Sequence, residues 1–205
     1  MDFGAALRQE RLVAIVRGKD AEASFRTVMT LVEEGIGLLE VSLSGRDALG
    51  VIARARTELG DAAWIGAGTV LTAADARRAA EAGANLIVTP GLGAGVDESV
   101  RQGLPVLAGV ITPTEIVAAD AAGASALKLF PASIGGPGYL KALRAPFPDL
   151  PFVPVGGVDA AEAEAWFAAG AVALGVGSPL IGDAADGGDL AGLRARAAEF
   201  RAVCA

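Results

Sequence analysis

The sequence predicts a single-domain α/β fold over residues 1–205: a closed (β/α)8 barrel with a short N-terminal helix. Two observations support this prediction. The first is a repeat in which a glycine, third in the repeat, ends a helical pattern and a short apolar strand follows. The four copies are EEGIGLLEV (33–41), EAGANLIVT (81–89), AAGASALKL (121–129) and AAGAVALGV (168–176).

The second observation is that four further strand-like runs alternate with these repeats. They are LVAIVRG (12–18), AWIGAGTV (63–70), PVLAGVIT (105–112) and PFVPVGGV (151–158). Thr72 with Asp75, and Thr112 with Glu115, have the spacing of helix N-caps. Eight strands then alternate with about eight helices, and such long connections are those that parallel strands require. An open doubly wound sheet is the alternative, but the even repeat along the whole chain favours closure.

Composition narrows the class of protein. The chain of 205 residues is 53% hydrophobic, yet no apolar run is as long as a membrane span. Its first residues lack the apolar segment of a signal peptide, so we expect a cytoplasmic protein with no membrane partner. A net charge of −7 argues against a nucleic-acid partner. The one cysteine, Cys204, allows no disulfide within the chain, and we expect it to lie in a frayed tail.

The absence of histidine excludes several kinds of active site. Ser-His-Asp and Cys-His catalysis are impossible, and so are zinc sites built on imidazole. Proton transfer near neutral pH must then fall to Glu, Asp, Lys, Tyr, the single cysteine or the substrate. The sequence also shows no cluster of metal ligands. We therefore expect an activity that needs no metal and no cofactor.

An acid and an amine occupy equivalent positions in the repeat. Five residues after the repeat glycine stand Glu40, Val88, Lys128 and Gly175, on strands 2, 4, 6 and 8. Alternate strands of such a barrel fill the same interior layer. Glu40 and Lys128 are therefore expected to point inward near the C-terminal ends of their strands, where active sites of this fold lie. Costly buried titratable groups of this kind gather at functional sites.

Lys128 also has structural explanations, as an outward side chain lying between helices or as half of a buried ion pair with Glu40. The functional explanation is that a desolvated amine is a nucleophile towards a carbonyl. The resulting iminium withdraws electrons from the adjacent carbons, and a nearby carboxylate can move the protons of that sequence. On this explanation the pair predicts Schiff-base chemistry.

Short glycine runs end strands 7 and 8. They contain Gly156 and Gly157 in VPVGGVD, and Gly177 and Ser178 in LGVGSPL. In barrels of this kind, the loops after strands 7 and 8 often bind phosphate through backbone N–H groups and a helix N-terminus. The alternative is that these glycines only allow tight turns.

Further candidate residues follow strands at the same end of the barrel. Arg17 ends strand 1 and could grip a carboxylate, with a solvated surface arginine as the alternative. Thr69 ends strand 3 and offers a hydroxyl, or else begins the next helix turn. Pro90 and Phe130 follow strands 4 and 6 and are expected to form apolar walls. Tyr139 is expected to pack a helix rather than to catalyse.

Together these motifs resemble one enzyme family. From about residue 11 to residue 182 the chain contains, in order, AIVRG, LLEVSL, IGAGTVL, IVTPG, ALKLFPAS, PVGGV and GVGS. This set is similar to the 2-keto-3-deoxy-6-phosphogluconate (KDPG) and 2-keto-3-deoxy-6-phosphogalactonate (KDPGal) aldolases. The resemblance implies that Lys128 forms a Schiff base and that Glu40 is the general acid and base. The implied reaction cleaves a phosphorylated keto sugar acid to pyruvate and D-glyceraldehyde 3-phosphate.

The resemblance also implies roles for the remaining candidates. Arg17 and Thr69 would hold the pyruvate moiety, and Pro90 and Phe130 would line the pocket. The Gly-Gly and Gly-Ser runs would bind the phosphate. The family is typically trimeric, so the resemblance implies a homotrimer, which nothing in the sequence shows independently.

One position departs from the KDPG-type pattern. KDPG aldolases usually carry an arginine four residues after the catalytic glutamate, where this chain has Ser44. The stretch PASIGGPGYLKAL after Phe130 is nearer the KDPGal type, so we expect a KDPGal preference. Several family members also accept 4-hydroxy-2-oxoglutarate. The alternatives outside the resemblance are a phosphate-binding isomerase or synthase without Schiff-base chemistry, and a non-catalytic barrel that only binds a sugar phosphate.

Overall fold

The computed structural model describes residues 2–205, which contain eight parallel strands. The strands are β1 (Leu12–Val16), β2 (Leu38–Ser42), β3 (Trp64–Gly68), β4 (Leu86–Val88), β5 (Val106–Val110), β6 (Ala126–Leu129), β7 (Phe152–Pro154) and β8 (Leu174–Val176). Their order in the sheet is β7-β6-β5-β4-β3-β2-β1-β8, so each strand lies beside its neighbours in the sequence.

Contacts between β7 and β8 close this sheet into a barrel. A parallel bridge joins Val155, just after β7, to Gly175 in β8. The Val172 N–H also donates to the Phe152 carbonyl at 2.9 Å. The predicted closed barrel is therefore confirmed, and the open doubly wound sheet is not the fold.

Helices connect the strands in the predicted alternation, and one helix precedes β1. Within residues 2–205 they are α1 (Phe3–Glu10), α2 (Ala21–Glu33), α3 (Ala48–Leu59), α4 (Ala73–Glu81), α5 (Ala94–Arg101), α6 (Pro113–Ala121), α7 (Gly136–Arg144), α8 (Ala163–Ala168), α9 (Ser178–Ile181) and α10 (Leu190–Cys204). Three short 3-10 turns lie at Ala132–Ile134, Ala160–Glu162 and Ala184–Asp186.

Local sequence signals explain where these helices begin and end. Thr72 and Thr112 each accept a hydrogen bond from the backbone N–H three residues later, and the acid at that position bonds back to the threonine N–H. These are the two capping boxes that the sequence predicts. The repeat glycines all have positive φ, between 82° and 99°, as the predicted helix stops require.

Alternation along the strands divides the buried side chains into two clusters. One lies between the sheet and the surrounding helices. The other fills the barrel interior, where α1 closes one end through Phe3, Ala6 and Leu7. Leu38 of β2 and Ala126 of β6 belong to this interior cluster. Because strand side chains alternate with a period of two, the residues two positions further along each strand also face inward.

The predictions made from the sequence for Tyr139 and Cys204 have opposite outcomes. Tyr139 packs against the core and donates its hydroxyl proton to the Ile111 carbonyl at 2.6 Å, which confirms its structural role. The prediction of a frayed tail is wrong, because Cys204 is buried at the end of α10. This burial raises the pKa of its thiol to about 11.

Among residues 2–205, no helix is long and apolar enough to cross a membrane.

Candidate active site

Lys128 and Glu40 meet inside the barrel. Lys128 lies two residues after Ala126 on β6, and Glu40 lies two residues after Leu38 on β2. These strands are not neighbours in the sheet, so the two side chains approach each other across the interior. Lys128 Nζ is 3.8 Å from Glu40 Oε2, and both side chains are almost fully buried. This arrangement confirms the predicted inward register and excludes an outward-facing lysine.

Burial changes the acidity of Glu40. Desolvation raises the pKa of this carboxyl, and the nearby charges of Lys128 and Arg17 oppose the shift. Among the described residues, neither carboxyl oxygen has a hydrogen-bond partner. A raised pKa brings a carboxyl closer to the range in which it can both give and take a proton near neutral pH.

Gly68 makes room for this carboxyl. It ends β3, and a Cβ atom at this position would overlap Oε1 of Glu40. Any other residue would therefore displace the Glu40 carboxyl from this position. Gly68 was not singled out from the sequence, because a glycine within GAG gives no indication of which side chain lies against it.

A cavity of about 280 Å³ opens at the C-terminal end of the barrel. Lys128 Nζ lies 5.1 Å from the ring centroid of Phe130, and Phe130 is part of the cavity wall. The amine is therefore close to the cavity on its inner side. Six of the predicted site residues line this cavity, namely Arg17, Phe130, Gly156, Gly157, Gly177 and Ser178.

The glycines after β7 form a tight turn whose backbone geometry would strain any other residue. Gly156 and Gly157 have φ values of 90° and 79°. The Gly156 carbonyl accepts a hydrogen bond from the Ser133 N–H. Because the C=O and N–H of one trans peptide point in opposite directions, the Gly157 N–H points away from Ser133.

The loop after β8 presents a second N–H group by the same reasoning. The Gly177 carbonyl accepts hydrogen bonds from Leu180 and Ile181 within the turn of α9. The N–H of Ser178, which belongs to the same peptide as that carbonyl, therefore points away from α9. Both loops line the cavity and can offer backbone donors to an anion.

The glycine loop after β7 is not followed directly by an α-helix. A 3-10 turn at Ala160–Glu162 leads into α8, and Asp159 caps this turn by accepting from the Glu162 N–H at 3.0 Å. The Asp159 carboxylate thus already occupies the start of this element. The backbone donors that remain open towards the cavity on this side are therefore those of the glycine loops.

Arg17 and Thr69 are joined through Ser42, which was not among the predicted site residues. Ser42 Oγ lies 3.3 Å from Arg17 Nε, 2.8 Å from Thr69 Oγ1 and 2.9 Å from Ser44 Oγ. Ser42 is fully buried at the end of β2, two residues after Glu40. Its position gave a signal, because a polar residue in step with an inward glutamate must also face inward.

Pro90 is the predicted site residue whose placement differs most from expectation. Pro90 is absent from the lining of the main cavity. Its backbone packs against Gly109, where a Cβ atom would overlap the Pro90 carbonyl group. Gly109 is paired in register with Lys128, so Pro90 supports the neighbouring strand.

The fold and this site define a class of protein: a (β/α)8 barrel enzyme with a buried amine and carboxyl below a cavity at the C-terminal end of the strands. The chain belongs to the KDPG and KHG aldolase family, whose sequence pattern matches residues 4–194. KHG denotes 2-keto-4-hydroxyglutarate. The protein is therefore an aldolase, a carbon–carbon lyase.

Relatives of both sugar-acid types resemble this chain. The 2-dehydro-3-deoxy-6-phosphogalactonate aldolase of Escherichia coli is 38% identical over 171 residues, covering 82% of this chain and 83% of its own. The 2-dehydro-3-deoxy-phosphogluconate aldolase of Pseudomonas aeruginosa is 39% identical over 157 residues, covering 74% and 69%. These names denote KDPGal and KDPG aldolases, because 2-dehydro and 2-keto describe the same group.

A solved structure adds a chemical observation on a relative. The KDPG aldolase of Legionella pneumophila, captured with pyruvate as a covalent carbinolamine intermediate, is 25% identical to this chain. Its TM-score is 0.84, and the match covers 100% of this chain and 97% of that protein. A carbinolamine is the adduct that precedes a Schiff base.

Proposed function

We propose that this protein is a class I aldolase in which Lys128 forms a Schiff base with a 2-keto-3-deoxy-6-phospho sugar acid. The products are pyruvate and D-glyceraldehyde 3-phosphate. The observation that carries the proposal is the buried pair across the barrel, with Lys128 Nζ at 3.8 Å from Glu40 Oε2. An isomerase or synthase that only binds phosphate has no need for such a pair.

The first half of the reaction forms the iminium. The neutral amine of Lys128 attacks the C2 ketone carbon and gives a carbinolamine after its extra proton passes to the Glu40 carboxylate. Glu40 passes this proton to the C2 oxygen, which completes the neutral carbinolamine. It then takes a second proton from solvent and gives it to the C2 hydroxyl, which leaves as water. The raised pKa of Glu40 supports this alternation between base and acid near neutral pH.

The second half breaks the carbon–carbon bond. The Glu40 carboxylate takes the proton of the C4 hydroxyl while the C3–C4 bond breaks, and the electron pair moves into the iminium to give an enamine. The aldehyde product leaves with C4 as its carbonyl carbon. A proton then returns to C3, and water hydrolyses the iminium to release pyruvate and the free amine.

Two groups of residues hold the ends of the substrate in this proposal. Arg17 and Thr69 bind the carboxylate, because a guanidinium and a hydroxyl lie at the same strand ends as the catalytic pair. The loops of Gly156–Gly157 and Gly177–Ser178 bind the phosphate through backbone N–H groups. Phe130 forms the wall between the amine and these loops.

We assign the galactonate epimer as the preferred substrate. Relatives named for either epimer are similarly close, at 38% and 39% identity, so the preference rests on the residues. Ser44 is a short, exposed side chain hydrogen-bonded to Ser42, at the place where the KDPG type carries an arginine. Gly136, Pro137 and Gly138 begin α7, and the resemblance places this stretch nearer the KDPGal type.

The proposal includes an assembly and a location. Apart from Phe130, which lines the cavity, four exposed large apolar side chains follow the consecutive strands β3 to β6 and so lie on one side of the barrel: Leu71, Leu92, Val117 and Ile134. An exposed apolar surface of this kind supports a homotrimer interface, with residues 1–205 acting as one domain. Because phosphorylated sugar acids are charged and do not cross bilayers unaided, the activity belongs in the cytoplasm.

Reductive trapping with pyruvate tests the Schiff base. Lys19, Lys128 and Lys141 are the three lysines of the chain, so mass mapping after borohydride treatment assigns the adduct without ambiguity. We expect modification of Lys128 alone, full trapping in the Lys141→Arg control and none in Lys128→Arg. An adduct on another lysine, or no adduct in the unmodified protein, would refute the mechanism.

A further inference from the structure

Ser42 connects the two residues assigned to the substrate carboxylate. Its hydroxyl is within hydrogen-bond distance of Arg17 Nε, Thr69 Oγ1 and Ser44 Oγ, at 3.3, 2.8 and 2.9 Å. Ser42 itself is fully buried, whereas Arg17 and Ser44 are exposed and Thr69 is half-buried. The serine is therefore the inner junction of a polar chain that leads outward towards the substrate.

A count of protons limits how this junction can be arranged. A serine hydroxyl has one proton to donate and two lone pairs to accept with. The Arg17 Nε–H can only donate, so it occupies one lone pair. One proton and one lone pair remain for Ser44 and Thr69. One of these two residues must therefore donate to Ser42, and the other must accept from it.

The two arrangements present different atoms to the substrate. If Ser42 donates to Thr69, the Thr69 proton is free to point at a bound ligand, and Ser44 donates to Ser42. If Thr69 donates to Ser42, Thr69 has only lone pairs to offer. A carboxylate accepts hydrogen bonds and cannot donate them, so it selects the first arrangement. The direction of donation is then Ser44 to Ser42 to Thr69 to the carboxylate.

The same hydroxyl sets the orientation of Arg17. With Nε engaged by Ser42, the edge of the guanidinium formed by the two terminal nitrogens remains for a bidentate contact with the carboxylate. Thr69 has a φ of 60°, which is unusual for a β-branched residue, so its conformation depends on the contacts around it. Its bond to Ser42 is one of these contacts.

We propose that Ser42 is a positioning residue of this aldolase, whose hydroxyl orients Arg17 and makes Thr69 a donor towards the keto acid carboxylate. This inference rests on the proposed function, since it takes the ligand to be a 2-keto acid bound beside Lys128. Ser42 acts through Arg17 and Thr69 and does not touch the substrate itself.

Reductive trapping at varied pyruvate concentration measures the consequence. Ser42→Ala is expected to raise the pyruvate concentration for half-maximal trapping at Lys128 by about tenfold, the effect of losing hydrogen bonds that support a charged contact. At saturating pyruvate, trapping should still reach the level of the unmodified protein. Arg17 and Thr69 are accessible enough to bond to water, so the variant should fold, as its melting temperature will show. Thr57→Ala, which removes an exposed hydroxyl from α3, should behave as the unmodified protein.

A double-mutant cycle separates positioning from a merely structural effect. Thr69→Val removes the hydroxyl but keeps the shape of the side chain. If Ser42 acts through Thr69, Ser42→Ala should raise the pyruvate concentration for half-maximal trapping clearly less in the Thr69→Val background than in the unmodified protein. Two outcomes would overturn the proposal for Ser42 while leaving Lys128 trapping intact. One is that the effects of Ser42→Ala and Thr69→Val on this pyruvate concentration are additive, and the other is that Ser42→Ala alone leaves it unchanged. No trapping in the unmodified protein would instead overturn the proposed function.

Discussion

At the scale of single residues, Glu40 shows how the fold changes the acidity of an ordinary side chain. Its carboxyl lies in the barrel interior, with no hydrogen-bond partner among the described residues, and desolvation raises its pKa. The nearby Lys128 and Arg17 limit this shift without reversing it. Because the chain has no histidine, this buried carboxyl is our candidate for the acid and base of the proposed reaction.

Replacing Glu40 by glutamine should lower kcat by on the order of a hundredfold or more, since general acid–base catalysis typically contributes that much. Glutamine keeps the size of the side chain but cannot exchange the proton. The measurement is steady-state cleavage of the phosphorylated keto acid by a variant whose folding is verified by circular dichroism. Glu81→Gln, on the exposed face of α4, is the control and should be fully active. Near-normal turnover by a folded Glu40→Gln protein would remove Glu40 from the mechanism.

The raised pKa of Glu40 also predicts a dependence of stability on pH. Between about pH 4.3, the pKa of a free glutamate, and the raised pKa in the barrel, the folded state binds more protons than the unfolded state. The free energy of unfolding must therefore fall as pH rises through this interval. Glutamine does not titrate, so the Glu40→Gln variant should escape this loss.

Melting temperatures of the two proteins from about pH 4 to about pH 8 test this linkage. Lys128 and Arg17, the charged groups that face Glu40, are present in both proteins. The melting temperature of Glu40→Gln minus that of the unmodified protein should increase with pH across the interval. A difference that stays constant or decreases would show that burial does not raise the pKa of Glu40.

At the scale of elements, strand periodicity accounts for what could be predicted. The repeat places Glu40 and Lys128 at one position on β2 and β6, and alternation along a strand then determines that both face inward. The relation between side chains on different strands was harder to predict. Gly68 and Ser42 acquire their roles from contacts across β2 and β3, which depend on register.

The end of the chain was predicted wrongly although a signal was present. Leu193, Ala197, Phe200 and Cys204 are spaced by three or four residues, and all four are buried on one face of α10. This is the apolar stripe of a docked helix. The expectation of a frayed tail gave too much weight to the position of Cys204 near the terminus and too little to this periodicity.

The residues in the loops after β2, β7 and β8 lead to predictions about the phosphate requirement and the epimer preference of the enzyme. Loss of the phosphate should reduce kcat/KM by at least about a hundredfold, equivalent to about 2.7 kcal/mol, because several charge-assisted hydrogen bonds are lost. The galactonate epimer should be preferred over the gluconate epimer by a smaller factor. Measuring kcat/KM for both epimers, with and without phosphate, decides both points.

Gly157→Ala serves as the matched variant for the phosphate loops. A methyl group at Gly157 would meet Ser133 Cβ at 2.7 Å and strain a φ of 79°, so the loop must shift. The variant should lose activity on phosphorylated substrates while trapping pyruvate as the unmodified protein does. Equal activity on phosphorylated and unphosphorylated compounds would contradict the phosphate assignment, and a clear gluconate preference would contradict the interpretation of Ser44.

At the scale of the whole molecule, the exposed apolar residues are unevenly distributed. Four of them follow four consecutive strands: Leu71, Leu92, Val117 and Ile134. Leu71, Leu92 and Ile134 are at the mouth of the barrel beside the active-site loops. Val203 is an exposed valine on α10, which follows β8 in the chain, and so does not belong to this group. Burial of such a surface between identical subunits stabilises an assembly through the hydrophobic effect.

Placing a charge on this surface should therefore separate the subunits. Val117 is 57% exposed on α6, so Val117→Asp should leave the fold of the subunit intact while adding a desolvated charge to the interface. Light scattering coupled to size exclusion should give three times the mass of the chain for the unmodified protein and the mass of a single chain for Val117→Asp. The control is Val203→Asp, which adds the same charge at a helical valine that is 38% exposed, and it should remain a trimer. A trimer that persists in Val117→Asp would place the interface elsewhere, and an unmodified protein with the mass of one chain would refute the trimer itself.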